Sequence, residues 1–321
     1  MAGIVKGEKR KVATRDGYGK GLVAAGKKNK NVVALDADLS DSTRSDWFKK
    51  EFPDRFFSMG IAEQDMIGTA AGLALSGKIP YASSFAIFGQ RAFELTRNII
   101  SRNKINVKIT GSHAGLFTGE DGKSAQAIED ISIYRTLPNM VVIQPADAIE
   151  AEKAVLALLN YKGPSYMRTL RNPLPIIHKN NYKFKIGIGE ILKKGKDAVI
   201  FATGTMVHES LKAAETLKKN KIDVYVVNIH TIKPIDKKLV IELAKKTNCV
   251  ITAEDHNIIG GLGSAVAEVL SENYPCIMKR IGMEDKYGES GKYAELYDKY
   301  GLSEKHVTKK VKDVKKKKNK I

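Results

Sequence analysis

The sequence predicts an α/β fold in which a parallel-sheet domain is followed by a smaller α/β domain. Short apolar runs alternate with longer helical patterns along the chain, as in strands joined by crossover helices. The chain has 321 residues, more than a typical single domain, and its 43% hydrophobic content suffices for two cores. Pro173 and Pro175 interrupt the pattern, because proline cannot continue a helix or a central strand. We therefore expect a first domain over residues 1–178, a polar linker over 179–190 and a second domain over 191–308.

Six strands are predicted in the first domain. They lie at 32–35, 56–59, 79–83, 106–110, 140–143 and 165–167. Helices are predicted at 13–28, around Trp47, and at 63–76, 89–103 and 146–160. This alternation implies a parallel sheet with right-handed crossovers. In the helix at 63–76, Gly68 and Gly72 let another backbone approach closely, so we expect that helix to be buried on most sides, and Gly77 to end it.

Polar side chains follow the strands of this first sheet. They are Asp36, Asp38, Glu63, Ser83, Ser84, His113, Arg168 and Arg171. Because the carboxyl ends of parallel strands meet at one edge, these groups can converge on one crevice, which is where open α/β sheets bind ligands. Segment 111–122 contains four glycines, so we expect a long functional loop there.

The second domain repeats the alternation on a smaller scale. Strands are predicted at 198–201, 224–227, 250–252 and 277–278, with helices at 207–219, 236–246 and 263–272. The run Gly260-Gly261-Leu262-Gly263 resembles half of a dinucleotide-binding fingerprint, but its spacing is wrong and no acidic residue follows suitably. We interpret it as a close strand-to-helix turn.

The formal charge of +18 raises the question of nucleic-acid binding. Residues 309–321 hold eight lysines against one aspartate and no aromatic residue for base stacking, so we predict a frayed, solvated, solubilising tail. Cys249 and Cys276 are too few for a disulfide framework or a zinc site. Residues 1–15 lack the apolar core of a signal peptide, and no apolar run approaches the ~20 residues of a membrane span. We expect a soluble, cytoplasmic protein.

Glu63 taken alone is an acidic residue in the first turn of a helix, which the helix dipole favours. Phe85 and Phe88 taken alone are two core aromatics one helical turn apart. A functional interpretation of these residues depends on the motifs around them.

Four short motifs occur together in this chain, and their combination is specific. They are Arg55-Phe56 with Gly60-Ile61-Ala62-Glu63, Ser84-Phe85-Ala86-Ile87-Phe88, Gly119-Glu120-Asp121-Gly122, and Leu137-Pro138-Asn139. With them, residues 15–175 resemble the pyrimidine-binding domain of transketolases, and residues 190–300 resemble their C-terminal domain. The resemblance implies a thiamine-diphosphate-dependent transferase that moves a two-carbon ketol unit between sugar phosphates, in the pentose phosphate pathway.

The resemblance implies cofactor-binding roles for five residues. Glu63 would share a proton with the aminopyrimidine ring and favour its imino form, which requires burial that keeps the carboxyl group protonated. Phe85 and Phe88 would pack on the pyrimidine. Arg91 stands where a third aromatic residue is common, and Asp38 would lie near the thiazolium.

Five residues resemble the family's substrate-binding residues. Arg15 and Arg171 would bind the substrate phosphate, which arginine pairs bidentately, and Ser42 would contact the same phosphate. His113 would hydrogen-bond the donor's oxygen, as a catalytic residue alongside Glu63, and Asp121 would bind a substrate hydroxyl group.

The chain departs from the family pattern at two points. Ala125, followed by Gln126, replaces a histidine that usually stands three residues beyond the Gly-Glu-Asp-Gly motif. The sequence also contains no Gly-Asp-Gly motif, which in the family binds magnesium and the diphosphate. The chain therefore resembles the C-terminal subunit of a split transketolase. A separate N-terminal subunit would hold most of the Mg²⁺ (or Ca²⁺) site, in an assembly of two copies of each.

Three alternatives remain open at this level. The chain also resembles half of a deoxyxylulose-phosphate synthase, although that enzyme usually keeps the histidine replaced by Ala125. It is similar to the beta subunit of pyruvate-dehydrogenase-type enzymes, but the loop at 119–122 and Arg171 favour a sugar phosphate. The third alternative is a non-catalytic scaffold subunit with the same fold.

Overall fold

The computed structural model describes residues 10–318 and contains two parallel-stranded sheets flanked by helices. The strands are β1 (Lys11–Val12), β2 (Val32–Asp36), β3 (Phe56–Ser58), β4 (Ile79–Phe85), β5 (Lys108–Ser112), β6 (Val141–Ile143), β7 (Ser165–Arg168), β8 (Leu174–Pro175), β9 (Glu190–Lys193), β10 (Ala198–Ala202), β11 (Val224–Asn228), β12 (Thr231–Lys233), β13 (Val250–Asn257) and β14 (Met278–Met283). The predicted α/β fold class is confirmed.

Helices connect the strands on both faces of the sheets. They are α1 (Thr14–Lys28), α2 (Ser40–Thr43), α3 (Asp46–Glu51), α4 (Glu63–Leu75), α5 (Ala86–Gly89), α6 (Phe93–Leu95), α7 (Asp130–Thr136), α8 (Ala148–Asn160), α9 (Thr205–Lys219), α10 (Lys237–Thr247), α11 (Leu262–Asn273), α12 (Tyr293–Lys299) and α13 (Glu304–Lys318). Within residues 10–318, no helix is long and apolar enough to cross a membrane.

The first sheet has the strand order β12-β6-β7-β5-β4-β2-β3. Its six strands from the N-terminal half run parallel, and all six predicted strands are present with bounds shifted by at most two residues. Strand β12 is different, because it comes from the C-terminal half and pairs antiparallel with β6. Strand β12 was not predicted, because its three residues form too short a pattern to assign to a distant sheet.

The second sheet has the order β14-β13-β10-β11-β9. Its strands are parallel except for β9, which pairs antiparallel with β11. The turn before α11 is the predicted strand-to-helix turn, and the carboxylate of Glu254 accepts hydrogen bonds from the N–H groups of Leu262 (2.7 Å) and Gly263 (2.7 Å). Glu254 therefore takes up the N–H groups at the start of α11 that a ligand phosphate would otherwise bind.

The two halves share a hydrophobic core, and a histidine bonded to two carboxylates lies where they join. Leu116 and Leu170 pack in the same cluster as Ile200 and Leu296. His178 lies between two carboxylates, 2.9 Å from Asp147 and 2.9 Å from Glu190. Burial opposes its protonation, but the charge of Glu150 and the bonds to these two carboxylates raise the pKa of His178 to about 11. The imidazolium therefore ties the segment before β9 to α8.

Three predictions about helices are wrong. Residues 89–103 are not one helix: α5, a 3₁₀ turn (Gln90–Ala92), α6 and a π-helix (Thr96–Ser101) follow one another, because Ala92 leaves helical geometry at φ −99° and ψ 18°. Helix α4 is not buried on most sides, since apart from the helix's own backbone no described atom lies within 4 Å of a Cβ built on Gly68 or Gly72.

The Lys-rich tail is also ordered up to residue 316, contrary to the prediction. Helix α13 crosses position 309, and Val307, Val311 and Val314 are buried against the second sheet. Lys315 pairs with Asp197 at 2.8 Å. Lys309 and Lys316 are exposed on the outer face of this docked amphipathic helix. Residues 1–9 and 319–321, to which parts of the terminal predictions refer, lie outside the described residues.

Candidate functional site

The site lies at the carboxyl ends of β2, β4 and β5, and Glu63 is its buried carboxylate. Gly60 (φ 68°) turns the chain after β3, so that α4 begins at Glu63 with the side chain pointing inward. Glu63 is 3% exposed, and its Oε2 lies 3.6 Å from Nη1 of Arg91, which is 61% exposed. The counter-charge of the buried Glu63 carboxylate is therefore the exposed guanidinium of Arg91.

A cleft of about 250 Å³ opens beside Glu63. It is lined by Ala37, Asp38, Leu39, Ile61, Glu63, Phe88 and Arg91. Four of the predicted cofactor-binding residues therefore share one cavity. Asp38 adopts a left-handed conformation (φ 60°) and is exposed at the rim.

Phe85 lies outside this cleft and stacks between two other rings. Its ring is nearly parallel to that of Phe88, with centroids 5.5 Å apart, and to that of His113, with centroids 3.8 Å apart. The stack connects the cleft beside Glu63 to His113.

His113 follows β5 in a left-handed conformation (φ 58°) and is buried. Its Nδ1 lies 2.9 Å from the hydroxyl of Ser112, and Nε2 has no hydrogen-bond partner within residues 10–318. Burial, with the positive charges of Arg15, Arg171 and Arg44, lowers the pKa of His113 to about 3. The imidazole is therefore neutral near pH 7.

The positive charges of three arginines, Arg15, Arg171 and Arg44, act on this neutral histidine. Arg15 donates to the backbone oxygen of Ser42 (2.9 Å), and burial followed by the charge of Arg44 lowers its pKa. The Nε of Arg15 is buried without a hydrogen-bond partner in the described chain. Arg44 bonds to Asp16 (2.8 Å), and Arg171 bonds to Asp121 (2.7 Å). Such a cluster of cations favours an anionic ligand.

The glycine-rich loop from residue 115 to 122 carries Asp121. Gly115, Gly119 and Gly122 all have positive φ, of 75°, 78° and 76°. Residues Leu116–Asp121 form 3₁₀ turns rather than an open loop. Asp121 is held by Arg171, and Ala125 closes a turn by donating to the oxygen of Gly122 (3.0 Å).

Comparison with known proteins identifies the family. Residues 10–176 match the family "Transketolase, pyrimidine binding domain", and residues 187–307 match "Transketolase, C-terminal domain". The chain belongs to the transketolase family. Transketolases generally use thiamine diphosphate as cofactor.

Its relatives include both half-length and full-length transketolases. A protein described as a transketolase C-terminal section from Methanocaldococcus jannaschii is 48% identical, with 97% of each chain covered. A 6-deoxy-6-sulfo-D-fructose transketolase subunit from Clostridium sp. (strain MSTE9) is 40% identical, with 95% of each covered. The transketolase of Rattus norvegicus is 40% identical over 94% of this chain, but the chain spans only 49% of that protein.

A solved structure is also similar to this chain over almost its whole length. It is described as a split-gene transketolase, an inactive beta4 tetramer, and it superposes with a TM-score of 0.90 at 47% identity. The alignment covers 95% of this chain and 99% of the other. This chain is therefore a homologue of a split-gene transketolase.

Arg44 is the site residue that the sequence analysis missed. It lies in a left-handed conformation (φ 68°) after α2, where Asp16 and Asp41 fix its guanidinium. Its nearness to Arg15 depends on how α1 and α2 pack together, which no local pattern reports. The only feature of the sequence that points to Arg44 is its position two residues after Ser42, a predicted phosphate-binding residue.

Two arginines that the sequence analysis singled out stabilise the fold and do not line the cleft. Arg168, placed among the crevice groups, is buried and bonds to Asp130 (3.0 Å), to the oxygen of Ala127 (2.8 Å) and to the oxygen of Asp255 (2.8 Å). Arg55, in the first family motif, donates to the oxygen of Gly26 (3.2 Å). Both hold the fold, and neither faces the cleft.

Proposed function

We propose that this chain is the C-terminal subunit of a thiamine-diphosphate-dependent transketolase, which transfers a two-carbon ketol unit between sugar phosphates. It acts only together with a separate N-terminal subunit, and the reaction belongs to the pentose phosphate pathway in the cytoplasm. The observation that carries the proposal is the buried carboxylate of Glu63 beside a cleft bordered by an aromatic ring.

The residues at the cleft fit the pyrimidine half of thiamine diphosphate. Glu63 offers a buried carboxyl group, and Phe88 offers an aromatic surface for a flat ring. The exposed guanidinium of Arg91 can move away from Glu63 when a ring enters, which leaves the carboxyl group without its counter-charge.

Among the described residues that line the cleft, few could hold the diphosphate and metal half of the cofactor. The cleft is lined by only two carboxylates, those of Asp38 and Glu63. Among residues 10–318, the one group of three side chains that could hold an ion is Glu150, His178 and Glu190, which bond to one another or to neighbours near the linker. We propose that the N-terminal subunit supplies most of the Mg²⁺ (or Ca²⁺) site.

The arginine cluster supports a substrate with a terminal anion. The charges of Arg15, Arg44 and Arg171 all act on His113, and the unpartnered Nε of Arg15 leaves a donor for an oxyanion. A phosphate fits these donors, and so does the sulfonate that one relative's name indicates.

The exposed face of α4 supports the need for a partner. Gly68 and Gly72 present bare backbone there, while Ile61 is 74% exposed and Leu75 is 76% exposed. Ile61 lines the cleft, whereas Leu75 lies at the other end of α4, and exposed apolar side chains of this kind suit a second subunit that covers this face. We propose an assembly of two copies of this chain with two copies of the N-terminal subunit.

The chemistry divides among the residues of this chain as follows. Bound thiamine diphosphate would supply a nucleophilic carbon for the transfer of the two-carbon unit. Glu63 would hold the pyrimidine ring through a hydrogen bond between its carboxyl group and a ring nitrogen. Neutral His113 uses Nε2 to hydrogen-bond the substrate oxygen that gains charge. Asp121 binds a hydroxyl group, and the arginines bind the terminal anion and fix the substrate's orientation.

The decisive experiment is co-production with the N-terminal subunit, followed by a ketol-transfer assay with phosphorylated and sulfonated substrates. The assembled protein should catalyse transfer, whereas the isolated chain should be silent and should bind thiamine diphosphate weakly in calorimetry. Tight one-to-one cofactor binding with activity from the isolated chain would contradict the split-subunit proposal. An assembled but inactive complex would favour the scaffold alternative.

A further inference from the structure

We propose that Asp255, in the C-terminal half, is a positioning residue for the proposed active site. Its carboxylate fixes the backbone of the site loop, defined here as residues 113–122, which carries His113 and Asp121. This inference rests on the proposed function for its catalytic consequence, and it assigns the C-terminal half a direct part in the site.

The contact is a carboxylate that accepts from consecutive backbone N–H groups. Oδ1 of Asp255 accepts from the N–H of Leu116 (2.8 Å), and Oδ2 accepts from the N–H of Phe117 (2.9 Å). The hydroxyl of Tyr297 also donates to Oδ2 (2.9 Å). Asp255 is fully buried at the end of β13, so water cannot replace any of these bonds.

The site loop depends on such external bonds because of its glycines. Gly115 and Gly119 adopt positive φ and have broad conformational freedom. His113 lies two residues before Gly115, and Asp121 lies two residues after Gly119. Bonds to Leu116 and Phe117 therefore fix the stretch of backbone between the two substrate-binding side chains.

Glu289 and Tyr293 of the C-terminal half take part in a second group of contacts with the loop and its neighbour Gln126. The amide of Gln126 donates to the oxygen of Gly119 (3.0 Å) and to the oxygen of Glu289 (3.0 Å). The ring of Phe117 packs on Tyr293 at 4.5 Å between centroids. The C-terminal half thus contacts the loop on two sides, with Asp255 as its only fully buried charged contact within residues 10–318.

Asp255→Asn tests the proposal, and Glu254→Gln is its matched control. An asparagine offers one acceptor and one NH₂ group, so in either orientation an N–H of Leu116 or Phe117 meets a donor. Glu254 is an adjacent buried carboxylate that also accepts from two backbone N–H groups, but its partners are Leu262 and Gly263 at the start of α11. Both variants replace a buried carboxylate by an amide, and they differ only in which backbone N–H groups lose an acceptor.

In the assembled enzyme, Asp255→Asn should lower kcat/KM for ketol transfer at least about tenfold, with part of the loss in donor KM, because small displacements of positioned groups are costly. The dissociation constant of thiamine diphosphate should stay within about twofold, since the cleft beside Glu63 does not contact Asp255. Glu254→Gln should keep kcat/KM within about threefold at a temperature where both variants are folded. Equal losses in the two variants, or an unchanged kcat/KM in Asp255→Asn, would overturn the proposal.

Hydrogen exchange on the full chain gives a readout independent of activity. Amide exchange at residues 115–119 should accelerate in Asp255→Asn, whereas Glu254→Gln should accelerate exchange at residues 261–264 instead. If Asp255→Asn does not fold, Tyr297→Phe removes one of the three donors and should shift exchange at 115–119 in the same direction. Unchanged loop exchange refutes the positioning role, while absent ketol transfer in the unmodified assembly refutes only the proposed function.

Discussion

Replacing Arg171 by alanine separates a sugar-phosphate enzyme from a 2-oxoacid enzyme. The guanidinium follows β7 at the edge of the site and bonds through Nη1 to Asp121 at 2.7 Å, which leaves its other donors available to a ligand. Both side chains are about one-third exposed, at 37% and 30%. The ion pair itself is therefore worth less than about 1 kcal/mol to stability, and Arg171→Ala should leave the fold intact.

The expected effect on catalysis is larger than the effect on stability. A hydrogen bond between charged groups contributes about 1.5–3 kcal/mol, so kcat/KM for a phosphorylated acceptor should fall by roughly 10- to 150-fold. An acceptor without the phosphate should lose much less. Arg171→Lys should recover only part of the loss, because a single ammonium cannot copy the planar fork.

The assay is steady-state ketol transfer by the two-subunit enzyme, with acceptors that carry a phosphate, a sulfonate or no anion. Asp121→Asn is the comparison variant: it removes the same ion pair and keeps the arginine, and its loss of a hydroxyl contact should lower kcat/KM by the same factor for charged and uncharged acceptors. If Arg171→Ala lowers kcat/KM equally for charged and uncharged acceptors, Arg171 holds the chain before Pro173 instead. The sugar-phosphate assignment would then lose its main support.

Three further changes test the remaining features of the molecule. Glu63→Gln keeps the size of the side chain, so thermal unfolding should be nearly unchanged. Ketol transfer should be abolished, and exchange of the thiazolium proton should be slower than in the unmodified enzyme. Exchange at the unmodified rate would show that Glu63 has only a structural role. Because the pKa of His113 is lowered from 6.5 to about 3, its neutral form stabilises the fold fully above pH 6.5, and roughly 4–5 kcal/mol is lost as the pH falls towards 3. The difference in unfolding free energy between the unmodified chain and His113→Asn should change across that window, and a constant difference would mean that the histidine titrates normally. Val311→Ala should lower the free energy of unfolding in urea by about 1–2 kcal/mol, whereas Lys309→Ala should hardly change it, because only the valine is buried. Equal effects of the two substitutions would mean that α13 is not docked on the second domain.

The first sheet could be predicted because its strands follow simple local rules. Val32, Ala34 and Leu35 are apolar and fully buried, as continuous apolar runs in parallel sheets are. The same rule places Glu63 and His113 near one edge, since each follows a strand whose carboxyl end points there. The cleft beside Glu63 gathers residues that the family motifs had singled out.

Other features depend on contacts that are distant in sequence. Arg44 joins the cations near His113 only through the packing of α1 on α2, and the bonds from Asp255 to the site loop span 139 residues. Helix α13 is a different case, because Val307, Val311 and Val314 follow the spacing of an amphipathic helix. The high lysine content of the segment obscured that signal.

The antiparallel strand β12 restricts where this chain can be divided. It covers the outer side of β6, where Thr231 pairs with Ile143 and Lys233 pairs with Val142. A fragment that ends at residue 178 would leave β6 as an open sheet edge, with unpaired N–H and C=O groups beside apolar side chains. Such an edge recruits strands from other molecules, so the N-terminal half produced alone should aggregate. A cut just after residue 233 does not solve the problem, because it would leave β10 without its partner β13, so the described residues are best studied as one unit.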